Sequence, residues 1–272
     1  MFVFAGILFS GRLSVHSDLI VTLSAFAVFC FAASGVYLFN DVLDKKNDAK
    51  HPHKKFRPIA SGAVPVWVAV FNNIILWLVA VFWSFNLGKT FALLIIAYII
   101  LHIMYTILLK KLVIWDLMAV ATGFVLRAVG GAIVIGVEIS SWLLVCTSLL
   151  SLFLITAKRR AELANVKNGN ESRPILKQYS IKYLDDLLLV LVASTITSYT
   201  LYVFSVETIE HIGSRGLGLT IPFVFYGLFR YLYLIMFSQS GENPEKVLFT
   251  DKAFLLNIIF WVISVVWVVY FY

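Results

Sequence analysis

Three aspartates follow directly on an apolar run near the start of the chain. Asp41, Asp44 and Asp48 are spaced i, i+3 and i+7, so they share one face if the preceding helix continues through them. Carboxylates on one face repel each other, and helix stability therefore does not explain them. With the amide of Asn40 they offer the hard oxygen ligands that Mg²⁺ prefers. The spacing favours a magnesium site; the alternative is a solvated cap whose charge is balanced by interleaved lysines.

A basic segment comes next. Lys54 and Arg57 precede Pro58, which disfavours helical backbone at Arg57, so we expect the chain to turn back there. Acidic ligands followed by a cationic turn suit a metal–diphosphate group, because the carboxylates hold the cation and the basic side chains hold phosphate oxygens. His51 and His53 lie between the two groups, but without nearby thiolates a zinc site is not favoured.

A second polar segment, 158–182, follows a later apolar run. Lys158 and Arg159 open it, Glu162 follows, and Arg173 lies in its second half. Basic residues at this position also have a simple explanation, since they anchor a membrane protein and suit the C-terminus of a helix. Their density favours a phosphate-binding role.

Two arginines lie inside apolar runs: Arg127 in "GFVLRAVGG" and Arg230 in "LFRYLYL". A charge there is costly, so each should face the interior of a helix bundle and have a partner. Asp116 lies eleven residues before Arg127 on nearly the same helix face. A structural Asp116–Arg127 ion pair is thus the alternative to a substrate-binding Arg127.

The run that ends before Lys110 carries polar side chains of its own. Tyr105 lies near its end and, with Lys110, is a candidate to line a substrate pocket. His102 lies one turn earlier, and we expect it to be a hydrogen-bonded core histidine.

The elements that must position these residues are membrane helices. Of 272 residues, 61% are hydrophobic and 14% charged, against about a quarter charged in soluble domains. A helix needs about 20 apolar residues to cross a bilayer. The composition therefore predicts an all-α, polytopic membrane bundle of about nine helices, in one domain spanning 1–272. The first helix is short, and the other eight spans are 18–40, 65–86, 90–108, 113–136, 141–157, 183–205, 218–237 and 253–271.

The basic residues are distributed unevenly between the two sides of the membrane. Loops 41–64, 109–112, 158–182 and 238–252 hold 17 of the 22 Lys and Arg residues, and the opposite loops hold three. The positive-inside rule places the first set in the cytoplasm. We therefore expect loops 41–64 and 158–182 to form a polar cap over an active site on the cytoplasmic face.

These segments resemble a known family. "NDVLDKKNDAKHPHKKFRPIASG" is similar to the first aspartate-rich motif of the UbiA superfamily of intramembrane prenyltransferases, which are nine-helix bundles. "YTILLKKLVIWDLMAVATGFVLRAVGGA", "AKRRAEL", "RPILKQY" and "FRYLYL…GENPEKVLFTDK" narrow the resemblance to its decaprenyl-phosphate phosphoribosyltransferase branch. The family usually has a basic, Trp-containing stretch before its first helix, whereas this chain begins "MFVFAGILFSGRL".

The resemblance implies a Mg²⁺-dependent transferase of the bacterial inner membrane. Such an enzyme moves 5-phosphoribose from 5-phosphoribosyl 1-diphosphate to a polyprenyl phosphate and releases diphosphate, and in some bacteria the product is a cell-wall precursor. We expect no nucleic-acid partner, and a homo-oligomer is compatible with the sequence. The metal ligands implied are Asp41, Asp44 and Asp48, and the catalytic residues are Asp41, Asp44, Lys158 and Arg159. The substrate-binding residues implied are Asn40, Lys54, Arg57, Tyr105, Lys110, Arg127, Glu162, Arg173 and Arg230.

Two other functions fit parts of the sequence. One is a UbiA-type aromatic prenyltransferase that uses a prenyl diphosphate. Such members carry a second Asp-rich motif after the sixth helix, where this chain has Lys158, Arg159, Arg160 and Glu162. The other is a transporter or channel, for which broken helices and inverted repeats would be expected; neither is evident in the sequence.

Overall fold

The computed structural model of the chain describes residues 2–50, 54–138, 140–166, 174–237 and 250–271. The elements within those ranges are all helical. The backbone forms two units, Met1–Ile139 and Ser140–Tyr272, each with a hydrophobic core of its own. One membrane domain over 1–272 therefore stays a prediction.

The described residues of the first unit form five α-helices. The acidic face lies at the end of its longest helix, and the 3-10 turns Lys54–Phe56 and Leu109–Lys111 carry basic residues. The helices are α1 (Ala5–Phe9), α2 (His16–Asp48), α3 (Val66–Asn86), α4 (Lys89–Ile107) and α5 (Trp115–Val134).

The described residues of the second unit also form five α-helices. A 3-10 turn at Pro174–Gln178 precedes the second of them, and another at Gly216–Thr220 precedes the fourth. The helices are α6 (Ser141–Val166), α7 (Ile181–Val203), α8 (Val206–Ile212), α9 (Ile221–Phe237) and α10 (Lys252–Phe271).

The helices confirm that this is an integral membrane protein. Seven of them are long and apolar enough to cross a bilayer, namely α2, α3, α4, α5, α7, α9 and α10. All seven coincide with predicted spans, and their ends lie within a few residues of the predicted ones except at α2, which runs on to Asp48. Helix α1 has only five residues, and a count of nine spanning helices stays a prediction.

The predicted boundary after the span 141–157 was wrong. Helix α6 continues to Val166, so Lys158, Arg159 and Glu162 lie on a helix rather than in a loop. The physical reason is local, since "AKRRAELA" at 157–164 consists of strong helix formers. The basic residues are therefore fixed in spacing relative to one another.

Helices α2 and α3 are in close contact at Gly35. A side chain there would collide with the indole of Trp77, which donates from Nε1 to the carbonyl of Ala32 at 3.3 Å. Asn73 is buried and donates its amide to the carbonyl of Gly35. Small residues let membrane helices approach, and polar side chains then hold them together. These contacts fix α2 just before its acidic turns.

The second unit is held together by an apolar core and by polar contacts, of which those of Arg160 connect the most helices. Phe153 of α6 packs edge-on against Tyr231 of α9, with ring centroids 5.5 Å apart. Arg160 donates to Asp185 of α7 and to the carbonyl of Ile235 of α9, each at 2.9 Å. The guanidinium thus connects three helices at the end of α6 that carries the other basic residues.

Candidate active site

The acidic face predicted from the sequence is present on α2. The helix is continuous from His16 to Asp48, so Asp41, Asp44 and Asp48 have the expected helical spacing. Asp41 and Asp44 are each partly exposed, with 27% of the side chain accessible, whereas Asp48 is 8% exposed. A nearly buried carboxylate needs a partner.

Arg57 supplies that partner. Its Nη1 atom donates to Asp41 Oδ1 at 2.7 Å and to Asp48 Oδ2 at 2.9 Å. The two carboxylate oxygens therefore lie at most about 5.6 Å apart, since both touch one nitrogen. The predicted turn at Pro58 is confirmed, because the Val64 amide donates back to the Pro58 carbonyl at 2.9 Å. The turn brings Arg57 back onto the acidic face.

Lys110 binds the remaining acidic residue. Its Nζ atom lies 2.8 and 2.9 Å from the two oxygens of Asp44, and 3.4 Å from Asn40 Oδ1. The 3-10 turn after α4 places Lys110 there, and its side chain is only 17% exposed. All four predicted metal-site residues thus contact one of two cationic side chains of the same unit.

This arrangement bears on whether the site suits Mg²⁺. The donors are three carboxylates and one amide oxygen, which is the ligand chemistry that Mg²⁺ prefers. Arg57 Nη1 lies between Asp41 and Asp48 and bonds both carboxylates, so a positive group already occupies the position that a metal ion would take. Among the residues that the structure describes, no three His, Cys, Asp or Glu side chains converge as a ready metal site. The donor set therefore fits Mg²⁺, and the resident partners of the carboxylates are basic side chains.

The other predicted residues of the first unit lie on the neighbouring segments. Lys54 begins the 3-10 turn before Arg57 and is partly buried. Tyr105 is partly buried on α4, with its ring 6.5 Å from that of His102.

Arg127 of α5 does not form the ion pair that the sequence allowed. Its Nη1 atom donates to the Gly123 carbonyl at 3.1 Å, and its Nη2 atom donates to the Tyr98 hydroxyl. Asp116 lies eleven residues away, about 16 Å along a helix, which is too far for the two side chains to meet.

Helix α6 carries the basic residues of the second unit. Arg159 is 2% exposed and its Nη1 atom lies 2.9 Å from Glu162 Oε2. Lys158, one position earlier, is partly exposed. A buried arginine held by a glutamate one turn on is a fixed cation rather than a mobile surface charge.

The last two predicted residues are Arg230 and Arg173. Arg230 of α9 bonds both oxygens of Asp251, at 2.8 and 3.4 Å. These hydrogen bonds lower the pKa of the Asp251 carboxyl below its ordinary value. Arg173, like His51 and His53, lies outside the described residues.

Sequence reasoning missed the polar surroundings of Arg127. Tyr98 was not singled out, although it lies one helical turn before His102 on an otherwise apolar helix. His102 was expected to be hydrogen-bonded, but its Nε2 atom is buried and has no partner among the described residues. An aromatic hydroxyl and an imidazole one turn apart in a spanning helix are the signal that would have marked this position.

Comparisons with known proteins agree on one family. The model of the UbiA prenyltransferase family matches residues 1–261. The decaprenyl-phosphate phosphoribosyltransferase of Corynebacterium glutamicum is 34% identical over 251 residues, which is 90% of this chain and 75% of that protein. The enzyme of the same name from Mycolicibacterium smegmatis is 31% identical over 255 residues, 91% of this chain and 80% of the relative.

Solved structures show the same fold. A UbiA homolog from Archaeoglobus fulgidus bound to GPP and Mg²⁺ superposes with a TM-score of 0.72 and covers 98% of this chain and 94% of its own. The two sequences are 16% identical, so this likeness concerns the fold alone.

Proposed function

Because the chain belongs to the UbiA prenyltransferase family, we propose that it transfers 5-phosphoribose from 5-phosphoribosyl 1-diphosphate to a polyprenyl phosphate. The bond between ribose C1 and the diphosphate oxygen breaks, a bond from C1 to the acceptor phosphate oxygen forms, and diphosphate leaves with the electron pair. The observation that carries the proposal is the identity of 31–34% to decaprenyl-phosphate phosphoribosyltransferases over about 90% of the chain.

The reaction needs little from the protein in acid–base chemistry. A phosphate monoester is already anionic at neutral pH, so the attacking oxygen requires no general base. The remaining tasks are to hold donor and acceptor in line and to stabilise the charge on the leaving diphosphate. Fixed cations and carboxylates suit these tasks, and the described residues provide both.

We assign the leaving diphosphate to the acidic face of the first unit. Asn40, Asp41, Asp44 and Asp48 would hold Mg²⁺, which when bound withdraws charge from a departing diphosphate. Arg57 neighbours these carboxylates, and we assign it with Lys54 and Lys110 to donor phosphates; Tyr105 is a further candidate to line the donor pocket.

We propose that basic residues of the second unit bind further phosphate oxygens of the substrates. Arg159 and Lys158 carry this role, and Glu162 orients Arg159 through their 2.9 Å contact. Arg230 and Arg173 stay predictions as substrate ligands. The proposed location is the plasma membrane with the site facing the cytoplasm, for which the Lys and Arg distribution is the support; a homo-oligomer stays a prediction as well.

A two-donor assay on the purified protein tests the proposal. The protein is incubated with polyprenyl phosphates of short and long chain length and either labelled 5-phosphoribosyl 1-diphosphate or a labelled prenyl diphosphate with 4-hydroxybenzoate. We expect label from the phosphoribosyl donor in the lipid extract, dependent on Mg²⁺ and lost in EDTA. Prenylation of hydroxybenzoate without ribosylation of lipid would replace the proposal by the aromatic prenyltransferase alternative.

A further inference from the structure

Arg127 carries a positive charge in the middle of a membrane helix, and no carboxylate of the described residues pairs with it. Its contacts among the described residues are the Tyr98 hydroxyl, the Gly123 carbonyl at 3.1 Å, and the rings of Tyr98 and Phe124 at 4.9 and 5.2 Å. These neutral groups orient the guanidinium and leave its charge uncompensated. An arginine in such a position is costly unless an anion joins it.

Arg230 shows the contrast within the same chain. It also lies on a spanning helix, and both oxygens of Asp251 bind it. The protein therefore neutralises one intramembrane arginine internally and leaves the other with neutral partners. The difference points to a ligand that brings the missing negative charge to Arg127.

A second polar group next to Arg127 also lacks a partner. The side chain of His102 is 9% exposed, and its Nε2 atom has no hydrogen bond to any described residue. It packs against the backbone of Gly123, where an added Cβ would lie 2.8 Å from it, and Gly123 also receives the Arg127 hydrogen bond. A buried nitrogen without a partner is uncommon and costly, and beside an uncompensated guanidinium it is expected where a polar ligand completes the site.

Arg127 lies farther along the spanning helices than the acidic face. Its guanidinium bonds the Gly123 carbonyl of α5 and the Tyr98 hydroxyl of α4. Lys110, which binds Asp44, lies on the 3-10 turn that connects these two helices. Gly123 comes eight residues after Trp115, the first residue of α5, which is about 12 Å along the helix axis. Arg127 and Lys110 are therefore separate cations at different depths of the first unit.

The proposed reaction needs two separated phosphate sites. An attacking oxygen starts about 3 Å from ribose C1, on the side opposite the leaving group. Its phosphorus therefore lies roughly 7 Å from that of the departing diphosphate, which leaves room for a second cation on the acceptor side. Arg127, farther along the spanning helices than the acidic face, is where a phosphate with an apolar tail would find that cation.

We propose that Arg127, oriented by the Tyr98 hydroxyl, binds a phosphate monoester, and that this is the phosphate of the lipid acceptor. The guanidinium offers a planar pair of N–H donors that match two phosphate oxygens. The Tyr98 hydroxyl accepts from Arg127 and so keeps its own proton to donate. The choice of acceptor rests on the proposed function; the phosphate site itself does not.

Binding without turnover separates the two sources of phosphate. Thermal stabilisation of the purified protein is measured with farnesyl phosphate, with ribose 5-phosphate and with farnesol, for wild type, Arg127→Gln and the control Arg12→Gln. Arg12 is a surface arginine of the same unit that pairs with Asp18. We expect farnesyl phosphate to stabilise wild type and Arg12→Gln more than farnesol does. In Arg127→Gln, we expect the two compounds to stabilise the protein equally.

Steady-state kinetics give the second readout. Loss of a charge-assisted contact should raise the KM for polyprenyl phosphate roughly 10- to 100-fold in Arg127→Gln, with the KM for the phosphoribosyl donor within about twofold of wild type. Tyr98→Phe, which keeps the ring, should raise the acceptor KM several-fold and leave the donor KM unchanged. A purely structural role for Tyr98 would not separate the two constants.

Three outcomes would overturn the assignment. Stabilisation by ribose 5-phosphate that disappears in Arg127→Gln would mean that the site holds the donor. Stabilisation by farnesyl phosphate that is equal in wild type and Arg127→Gln would mean that it holds no phosphate. If Arg127→Gln fails to fold, Arg127→Lys decides instead, since it keeps the charge but loses the planar fork, and an acceptor KM equal to wild type would refute the proposal. An Arg127-dependent farnesyl phosphate effect in a protein that does not ribosylate lipid would refute only the proposed function.

Discussion

Replacing Arg57 with glutamine removes the cation that holds two carboxylates together. Arg57 Nη1 bonds Asp41 at 2.7 Å and Asp48 at 2.9 Å. In Arg57→Gln the two carboxylates face each other within about 5.6 Å, a repulsion of about 3 kcal/mol at an effective dielectric constant of 20. Solvent reduces this figure, because the Arg57 side chain is 40% exposed. We therefore expect the free energy of unfolding to fall by about 1–2 kcal/mol in EDTA.

The same change should strengthen the binding of Mg²⁺ alone. Mg²⁺ bound at the proposed site would compete with Arg57 for Asp41 Oδ1 and Asp48 Oδ2. The variant lacks that competition, and 1–2 kcal/mol corresponds to roughly 10-fold tighter binding. We expect Arg57→Gln to have a lower melting temperature than wild type in EDTA and a larger rise on titration with Mg²⁺. Its transfer activity should fall, because Arg57 is also a proposed ligand of the donor phosphates.

The assay is thermal unfolding in detergent across a Mg²⁺ titration without substrate. Arg12→Gln is the matched control, since Arg12 bonds Asp18 at 3.3 Å in the same unit and is similarly exposed. Its Mg²⁺ dependence should equal that of wild type. The reasoning is refuted if Arg57→Gln matches wild type in EDTA and binds Mg²⁺ no more tightly.

Three further changes test other parts of the structure. Asp44→Asn should reduce Mg²⁺-dependent transfer by at least about 100-fold, and full turnover would remove the metal role. Gly35→Ala should destabilise the protein by roughly 1–3 kcal/mol in thermal unfolding, because the new methyl group meets Trp77; unchanged stability would contradict the close α2–α3 contact. Since Arg230 lowers the pKa of Asp251, their pairing stabilises the protein above the ordinary carboxyl pKa of about 3.9 and is lost as pH falls through the lowered value. The melting temperature of wild type should therefore fall at acidic pH, and this part of the fall should be missing in Arg230→Gln. Identical pH profiles of the melting temperature for the two proteins would count against the pairing.

Periodicity and local chemistry predicted most of the fold. The apolar runs located the spanning helices within a few residues except at the end of α2, and the i, i+3, i+7 spacing placed three carboxylates on α2. The turn at Pro58 followed from the stereochemistry of one residue. Each of these properties depends on neighbours in sequence. The end of α6 was missed because the change from apolar to basic residues was taken as the end of the helix, although the basic residues are themselves good helix formers.

Contacts between residues far apart in sequence could not be obtained in this way. Lys110 was expected to bind substrate, and nothing in its surroundings in sequence indicates Asp44, 66 residues away, as its partner. Asp116 was considered as a partner for Arg127 because the two residues lie on nearly the same helix face. The distance between them along the helix axis, about 16 Å, was not taken into account. Of the partners found instead, Tyr98 follows from the packing of α4 against α5, and the Gly123 carbonyl lies one turn earlier on α5 itself.

The charges of the acidic face explain why donor and metal should bind together. Asp41, Asp44 and Asp48 carry three negative charges, and Arg57 and Lys110 return two positive ones. A metal ion alone would take from Arg57 and Lys110 the carboxylates with which they pair among the described residues, which opposes its entry. A metal ion that arrives with a diphosphate brings those cations new partners, because phosphate oxygens replace the carboxylates they lose. Donor and Mg²⁺ should therefore raise each other's affinity by the same factor, and that coupling is built into the two basic side chains rather than into the carboxylates.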